Sequence, residues 1–331
     1  MNISELGVFK LSEYVFRIIN DVGDETPVIL DDVVVSNGKD IAIHSENFIE
    51  GLNFDLMYMS LKHIGYKTIV VVVSHLLAKN IIAENVMVNF AVPNRFMVEQ
   101  IQEIAIGMGL ACKKYNIKAL NVGTTPNLSG LTLNIIAFGR IEKGQKISSN
   151  TANEGDLICS TGDLGAAYTG LLLLEREKKV FMENPAMQPD LEGKDYVLER
   201  YIKPEAQMKI IQKFENLKIK PTAMILNKSG LSTSLIQLCK SSQKGCMLYD
   251  NKIPIDMLTC TTAEQFGIDP LTAALNGGED YELLFTISQS DYKKIKDEKD
   301  IHIIGHITEA SAGCYLVPDN GVVIELKGLN S

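Results

Sequence analysis

The stretch GDLICSTGDLGAAYTGLLLLERE, residues 155–177, decides the fold class of this chain. Its first part, DLICST, predicts a strand, the following GD predicts a turn, and LGAAYTGLLLLEREKK predicts a helix. Three later β-like segments, YELLFTI, IHIIGHI and GVVIEL, add strands to the same region. A strand, a short turn and a helix, followed by further strands, predict an α/β domain.

The N-terminal half predicts a second set of α/β elements. An apolar face predicts an amphipathic helix near the start, formed by Leu11, Tyr14, Val15, Ile18 and Ile19. The segments VILDDVVV, DIAIHS, NVMVNFAV and LTLNIIAFG predict strands, and residues 97–115 predict a helix. TIVVVVSHLLAK is ambiguous from its residues alone, because its four valines favour a strand while its length allows a buried helix.

The chain divides at the polar segment EKGQKISSNTANEG, residues 142–155, which contains few apolar residues. A chain of 331 residues exceeds what one ordinary hydrophobic core holds, so two domains are expected. We predict an N-terminal domain over residues 1–146 and a C-terminal domain over residues 147–331. The predicted architecture is therefore two α/β domains with mixed sheets.

Composition and charge exclude several functional classes. The formal net charge of −9 argues against nucleic acid as a partner, because binding to a phosphate backbone requires a basic surface. A run of about 18 apolar residues, which a membrane span needs, does not occur, and the N-terminus does not resemble a signal peptide. The six cysteines are scattered without a C-x-x-C pair, a pattern typical of reduced thiols in the cytoplasm.

Two glycine-containing turns are candidates for ligand binding, and each has a purely structural alternative. In TGDLG, residues 161–165, the N–H groups at a helix start are suited to hold a phosphate, but a tight turn with an aspartate cap has the same pattern. In NGGEDYELLF, residues 276–285, Glu279 is placed to accept hydrogen bonds from a polar substrate. The alternative there is a hairpin turn with solvated acids.

Carboxylates and histidines provide weaker candidates. Asp31 and Asp32 lie within a hydrophobic stretch, which favours either a metal role or an exposed turn between strands. His75 follows a strongly apolar run, where a histidine is more often a packed residue than a ligand. His302 and His306 are four residues apart in a β-like segment, and that spacing does not converge on one metal. The residues alone therefore indicate an α/β protein without a specified nucleophile.

Read together, four segments resemble the thiamine-monophosphate kinases of the AIR-synthase-like superfamily, and the resemblance runs almost end to end. They are EGLNFDLMYMSLKHIGYK, GDLICSTGDLGAAYTGLLLLERE, KIPID and ALNGGEDYELLFTI. The resemblance implies a homodimer that pairs through the N-terminal sheet, and it favours a helix for TIVVVVSHLLAK. It also implies a reaction, the transfer of the ATP γ-phosphoryl group to thiamine monophosphate with Mg²⁺ as cofactor.

The resemblance makes the segment MILNKSGLS unexpected. The family has D-I-S-D-G where this chain has LNKSG, so Leu226 and Ser229 replace two aspartates and Lys228 replaces the serine. The family's G-D-D-A-A-V corresponds to LDDVVV, in which Asp31 and Asp32 retain both acids. One acidic segment is therefore preserved and the other is lost.

Among the remaining metal and nucleotide positions, some family residues are retained and others are replaced. The family's T-D pair corresponds to Ser45 and Glu46, which retain a carboxylate, whereas His75 replaces the aspartate of its S-D pair. Gly123 replaces the aspartate of G-G-D-T-T and leaves Thr124 for the nucleotide, with Lys228 as a second nucleotide contact. The residual metal ligands that this comparison implies are Asp32, Glu46, Asp31 and Ser45.

The phosphate and substrate positions follow the same pattern. The arginine that would meet the ATP phosphates corresponds to Ser149, and the histidine of the substrate-binding G-x-H-F segment corresponds to Asn53. Leu326 stands at a C-terminal aromatic position, while Glu279 is retained and Asp280 follows it. The resemblance therefore implies Asn53, Glu279 and Asp280 as the remaining substrate contacts.

These replacements weaken the Mg·ATP site in particular. Mg²⁺ requires oxygen ligands, which leucine and glycine side chains lack, and neutral histidine suits softer metals. We predict a kinase-like protein with lost or much reduced activity that binds a thiamine monophosphate-like compound or a nucleotide. Two alternatives are an active kinase with fewer metals and a non-catalytic subunit of an intact paralogue. The sequence does not decide whether His44 and His75 approach each other.

Overall fold

Two β-sheets organise the chain in the computed structural model, which describes residues 8–21, 33–35, 40–141, 147–319 and 321–328. Asp31 and Asp32 lie outside the described residues. The five-stranded sheet is built from the N-terminal part, and the seven-stranded sheet is built from the C-terminal part. The prediction of α/β architecture with mixed sheets is confirmed.

The N-terminal part places its helices beside one sheet. Its elements are α1 (Val8–Asn20), β1 (Val34–Val35), β2 (Ile41–Ile49), α2 (Leu61–Leu77), β3 (Ala83–Pro93), α3 (Val98–Tyr115), β4 (Lys118–Asn127) and β5 (Thr132–Arg140). The strand order is β1-β2-β5-β3-β4, and only the β3–β4 pair is parallel. The edge strand β4 is exposed along most of its length.

The C-terminal part forms a larger mixed sheet. Its elements are β6 (Leu157–Thr161), α4 (Ala166–Glu183), α5 (Asp195–Ile202), α6 (Met208–Leu217), β7 (Ala223–Asn227), α7 (Leu231–Ser242), β8 (Lys244–Tyr249), α8 (Met257–Gln265), α9 (Pro270–Asn276), β9 (Glu282–Ile287), α10 (Tyr292–Ile295), β10 (Ile301–Glu309), β11 (Cys314–Val317) and β12 (Ile324–Glu325). The strand order is β12-β11-β8-β10-β6-β9-β7. The edge strand β7 leads into LNKSG, and β11, which begins at Cys314, lies next to the opposite edge strand β12.

The valine-rich segment is helical, as the family resemblance implied and against its strand propensity. It lies in α2, whose residues from Ile64 to Leu77 are all buried. Because β-branched residues lose little where every face of a helix packs against the protein, burial overrides local preference here. The predicted apolar face of α1 is exposed among the described residues, with Ile18 at 64% and Ile19 at 75%. No helix of the described ranges has both the length and the apolarity of a membrane span.

Two glycines allow α2 and α3 to approach very closely. A Cβ atom on Gly65 would lie 2.0 Å from the carbonyl oxygen of Ile104, and one on Gly107 would lie 2.0 Å from that of Lys62. Any side chain would force the helices apart, because real Cβ atoms do not approach carbonyl oxygens this closely. This contact fixes α2 beneath the sheet, where its last turn carries His75.

Candidate functional site

Glu46 lies at the centre of a charged cluster between β2 and α2. Strand alternation places His44 and Glu46 on the same face of β2, and His75 approaches them from α2. The His44 and His75 rings stack with centroids 3.9 Å apart and an interplanar angle of 15°. Their Nε2 atoms lie 3.5 Å and 3.7 Å from Glu46 Oε2, respectively. The two histidines therefore meet at the retained carboxylate.

Lys228 brings a positive charge to the same carboxylate. It follows β7 directly, and its Nζ atom lies 2.8 Å from both Oε1 and Oε2 of Glu46. Side-chain exposure is 33% for Lys228 and 18% for Glu46. A partly buried ammonium in contact with both oxygens neutralises the carboxylate within the protein itself.

The electrostatics of the cluster follow from burial and charge. Burial opposes ionisation of Glu46, but hydrogen bonding from His44 and the charge of Lys228 outweigh it and lower the pKa of Glu46. Burial lowers the pKa of His75 well below its ordinary value, and the positive charges of His44, Lys228 and Lys79 lower it further. The cluster therefore favours an ionised Glu46 beside a neutral His75.

The turn after β7 packs against the turn that carries Glu279. The Glu279 N–H donates to the carbonyl oxygen of Lys228 at 2.7 Å, and the Tyr281 N–H donates to that of Asn227 at 3.1 Å. Gly278 has φ +76°, and a Cβ atom there would lie 2.6 Å from the same Lys228 oxygen. Gly278 is therefore required for the two turns to make contact. The sequence of either turn alone does not show this requirement.

Glu279 forms a second ion pair in this region. Its Oε2 atom lies 2.7 Å from Lys67 Nζ, and Lys67 is only 3% exposed. The same ammonium lies 3.9 Å from the centroid of the Tyr201 ring. Sequence reasoning missed Lys67, although a lysine that opens the apolar run of α2 was a signal for a buried charge with a partner.

Asp280 is used inside the protein. It is 1% exposed, and its oxygens accept hydrogen bonds from the N–H groups of Gly165 at 3.0 Å and Ala167 at 3.3 Å. Burial raises its pKa to about 7, despite the opposing charge of Arg200. The start of α4 is therefore occupied by the carboxylate of Asp280, and not by an aspartate of TGDLG itself. Asp280 is thereby removed from a substrate surface.

Several predicted site residues do not join the cluster. Ser45 is exposed on the opposite face of β2 and accepts a hydrogen bond from Asn134 at 3.1 Å, so its side chain cannot share a cation with Glu46. Gly123 and Thr124 lie on β4, in register with Asn89 and Phe90 of β3. A Cβ atom on Gly123 would lie 2.5 Å from Asn89 Oδ1.

Residues at the degenerate positions take structural roles near the cluster. Leu226 is 5% exposed and belongs to the hydrophobic core, whereas Ser229 lies half-buried in the turn. Ser149 accepts a hydrogen bond from Lys79, a buried lysine that sequence reasoning also missed, at 3.2 Å. Asn53 accepts one from the Ile49 N–H at 2.9 Å.

Two further predictions concern residues elsewhere. Leu326 is 7% exposed, and its N–H donates to the carbonyl oxygen of Cys314 at 2.9 Å, so it packs within the C-terminal part. His302 and His306 both lie in β10, and the His306 ring lies 5.9 Å from that of Tyr249. None of these three residues touches the charged cluster around Glu46 among the contacts described.

Known proteins match both halves of this arrangement. A family model described as AIR synthase related protein, N-terminal domain, matches residues 27–141. The thiamine-monophosphate kinase of Buchnera aphidicola subsp. Acyrthosiphon pisum is 28% identical and covers 94% of this chain and 92% of its own length. That of Bacillus subtilis is 26% identical over 86% of each chain. The chain is therefore similar to thiamine-monophosphate kinases over most of its length.

Solved structures show a similar fold. Thiamine monophosphate kinase from Aquifex aeolicus has a TM-score of 0.81 at 23% identity, covering 98% of this chain and 100% of its own. A structure of AaThiL complexed with AMPPCP and TMP has a TM-score of 0.82 at 24% identity, with coverage of 99% and 98%. The described residues therefore share the fold of these solved structures.

The residues described around Glu46 do not provide the set of oxygen ligands that Mg²⁺, the cofactor implied by the resemblance, requires. Around Glu46 they supply one carboxylate, two imidazoles and one ammonium. Mg²⁺ requires near-octahedral oxygen ligands, and an ammonium on the carboxylate repels a divalent cation. The charged cluster around Glu46 is thus a poor magnesium site.

Proposed function

We propose that this protein is a thiamine-monophosphate kinase-like protein with lost or much reduced Mg·ATP-dependent kinase activity. Its cleft would still bind a thiamine monophosphate-like compound or a nucleotide. The observation that carries the proposal is the contact of 2.8 Å between Lys228 Nζ and both oxygens of Glu46. In this position, a tethered ammonium supplies the positive charge that a metal ion would otherwise bring.

Charge balance explains why the contact opposes metal binding. An incoming Mg²⁺ would have to displace Lys228 from Glu46 and remain close to its ammonium. Like charges a few ångströms apart repel, and the repulsion is stronger in a partly buried site than in water. The depressed pKa of Glu46 reflects the same ammonium together with His44. Mg²⁺ would therefore compete with a cation that belongs to the protein.

The family reaction depends on the groups that are replaced. Phosphoryl transfer is catalysed mainly by positioning and by neutralising charge on the phosphates. Removing one well-placed electrostatic stabiliser costs about a hundredfold to a thousandfold in rate. Here Leu226, Ser229, His75 and Gly123 all stand where the resemblance implies carboxylates. Although such losses are not additive, together they support little remaining catalysis.

Polar groups around Glu279 are the candidates for ligand binding. Glu279 and Lys67 form an ion pair beside Tyr201, and Asn53 lies in a turn at the end of β2. A structural neighbour is known as a complex with AMPPCP and TMP, which supports small molecules of these kinds as ligands. We therefore place ligand recognition on the Glu279 side and the lost metal chemistry on the Glu46 side.

A kinase assay and calorimetry test the proposal together. Purified protein is incubated with ATP, Mg²⁺ and thiamine monophosphate, with the Bacillus subtilis relative as the positive control. We expect no thiamine diphosphate above the enzyme-free blank and no Mg²⁺-dependent ATP binding. Product formation at a rate near that of the relative, or tight Mg²⁺-dependent ATP binding, would establish the alternative of an active kinase with fewer metals.

A restored variant sharpens the result. Leu226→Asp, Lys228→Ser and Ser229→Asp together return both family aspartates and the serine to LNKSG, and His75→Asp adds a third acid. We expect Mg²⁺-dependent ATP binding to appear in this variant even where turnover stays low. Circular dichroism confirms that it folds, since Leu226 is 5% exposed and its replacement by aspartate is costly.

Assembly and domain division are part of the same proposal. We place the domain division between residues 146 and 147, and we propose a homodimer formed through the N-terminal sheet. The exposed edge strand β4 supports this surface. Co-purification from the native cell tests the alternative of a non-catalytic subunit, because a homodimer with no second chain contradicts it.

A further inference from the structure

Three cysteines converge in the C-terminal part. Cys239 lies in α7, Cys246 in β8 and Cys314 at the start of β11, and their Sγ atoms all lie within 4.8 Å of one another. Cys239 is 1% exposed and Cys246 is fully buried, whereas Cys314 is partly exposed. The cluster therefore has two enclosed thiols and one that solvent can reach.

The backbone holds the three thiols in place. Cys246 and Cys314 are direct partners in the parallel β8–β11 ladder, and the Cys246 N–H donates to the carbonyl oxygen of Gly313 at 2.9 Å. Helix α7 ends at Ser242 and β8 begins at Lys244, so Cys239 and Cys246 are joined by a very short connection. Adjacent elements thus hold the three thiols close together. The connection between α7 and β8 is too short to form a flexible loop.

Simple apolar packing is the competing explanation. Buried free cysteines behave as small hydrophobic residues, and Cys239 and Cys246 belong to a core cluster. Apolar packing alone does not explain why three sulphur atoms lie within 4.8 Å of one another. With metal–sulphur bonds of about 2.3 Å, three thiolates on one ion lie about 3.8 Å apart. The observed Sγ–Sγ distances, all within 4.8 Å, allow three thiolates to bind one ion after small side-chain movements.

We propose that Cys239, Cys246 and Cys314 together bind one thiophilic d¹⁰ cation, Zn²⁺ or Cu⁺, through three thiolates. Thiolates are soft ligands that select these metals over Mg²⁺. No histidine, acid or fourth cysteine of the described residues joins the cluster. Cu⁺ accepts three thiolates alone, whereas Zn²⁺ takes a water or another external ligand from the exposed side of Cys314. Binding releases the thiol protons to solvent.

This site is independent of the proposed loss of kinase activity. In the strand order, β10, β6 and β9 separate β8 and β11 from β7, the edge strand that leads into Lys228. A metal at the cysteines would join α7, β8 and β11, so its effect is expected on stability and not on the Glu46 cluster. Failure of one proposal therefore leaves the other unaffected.

Metal titration of the whole protein tests the site. The reduced protein is freed of metal with a chelator and titrated anaerobically with Zn²⁺ alone, or with Cu⁺ buffered by bicinchoninate. We expect one equivalent to bind, with ultraviolet sulphur-to-metal absorption and a higher thermal midpoint. Binding of only one of the two metals identifies the coordination. Cys246→Ser and Cys314→Ser should lose this equivalent, whereas Cys112→Ser and Cys260→Ser, outside the cluster, should keep it.

Alkylation of the unmutated protein provides a second measurement that does not depend on variants folding. Bound metal should slow labelling of Cys314 at least tenfold and leave the labelling of Cys112 and Cys260 unchanged. Equal labelling with and without metal overturns the proposal. The absence of a bound equivalent, or binding that survives both Cys246→Ser and Cys314→Ser, overturns it as well.

Discussion

Lys228 Nζ lies 2.8 Å from both carboxylate oxygens of Glu46, although 182 residues separate the two in sequence. The pair joins the turn after β7 to strand β2, so it links the C-terminal sheet to the N-terminal sheet. It also neutralises the one carboxylate of the described Glu46 cluster. One ion pair thus connects the two parts of the protein.

Removing the ammonium should cost stability. We expect Lys228→Met to lower the free energy of unfolding by about 1–2 kcal/mol, since a charged hydrogen bond is lost and Glu46 remains partly buried. The expected loss of stability is modest because Lys228 is 33% exposed and solvent screens the ion pair. Urea denaturation at pH 7 measures it. The matched control is Lys240→Met on the exposed side of α7, for which a change within about 0.5 kcal/mol is expected.

The same substitution should alter the response to magnesium. Without the ammonium, Glu46 becomes available to a hydrated divalent cation, so millimolar Mg²⁺ should raise the thermal midpoint of Lys228→Met more than that of the unmutated protein. Differential scanning fluorimetry with Mg²⁺, and with choline at equal ionic strength, measures the difference. Equal shifts in both proteins would show that Lys228 does not compete with a metal.

Acidification should destabilise the protein through His75. Burial and the charges of His44, Lys228 and Lys79 lower its pKa well below the ordinary value of 6.5. Below that pH the unfolded chain binds a proton that the folded chain does not. The free energy of unfolding therefore decreases as the pH decreases. The contribution to the slope is at most about 1.4 kcal/mol per pH unit. His75→Leu should flatten the stability curve between pH 6.5 and 5.

Glu46 provides the control for this window. Its pKa is lowered from an ordinary value of 4.5, so its contribution to stability is complete above that pH and is lost as the pH falls through the lower folded value. Glu46→Gln should therefore leave the slope between pH 6.5 and 5 nearly unchanged. An unaltered slope in His75→Leu would mean that other groups cause the acid sensitivity.

The sequence predicted the fold class and identified Glu46, Lys228 and Glu279 as site residues, but it did not predict their arrangement. Periodicity located α3 within one residue of its observed start and end, because its apolar stripe is a local property. Alternation in β2 also implies that His44 and Glu46 share a face and that Ser45 does not. That inference requires only the assignment of β2 as a strand. It excludes Ser45 as a second ligand to a metal held by Glu46.

Contacts over long sequence separations explain the rest. The Lys228–Glu46 pair, the Lys67–Glu279 pair and the three-cysteine cluster each depend on the packing of elements that are distant in the chain. Spacing along the sequence contains no information on such distances. Asp280 illustrates the same limit, since its role at the start of α4 depends on residues more than a hundred positions away.

The close approach of α2 and α3 predicts a sharp contrast between two glycines of one helix. Gly107→Ala would bring a Cβ atom within 2.0 Å of the Lys62 carbonyl oxygen, so we expect a loss of about 2–3 kcal/mol. Gly109→Ala meets nothing within 4 Å and should stabilise the helix by about 0.5–1 kcal/mol. Urea denaturation compares them, and similar values for both would contradict the packing described.

The proposed homodimer leads to a prediction at the edge strand β4. Leu120 and Val122 are 62% and 60% exposed there, and burial of such side chains against a second copy would favour association. Leu120→Asp should weaken the dimer at least tenfold, because a carboxylate in an apolar interface is poorly solvated. Met182→Asp, on the exposed side of α4 in the other part of the chain, should leave assembly unchanged. Sedimentation over a concentration series distinguishes them, and a monomeric unmutated protein throughout would exclude this interface.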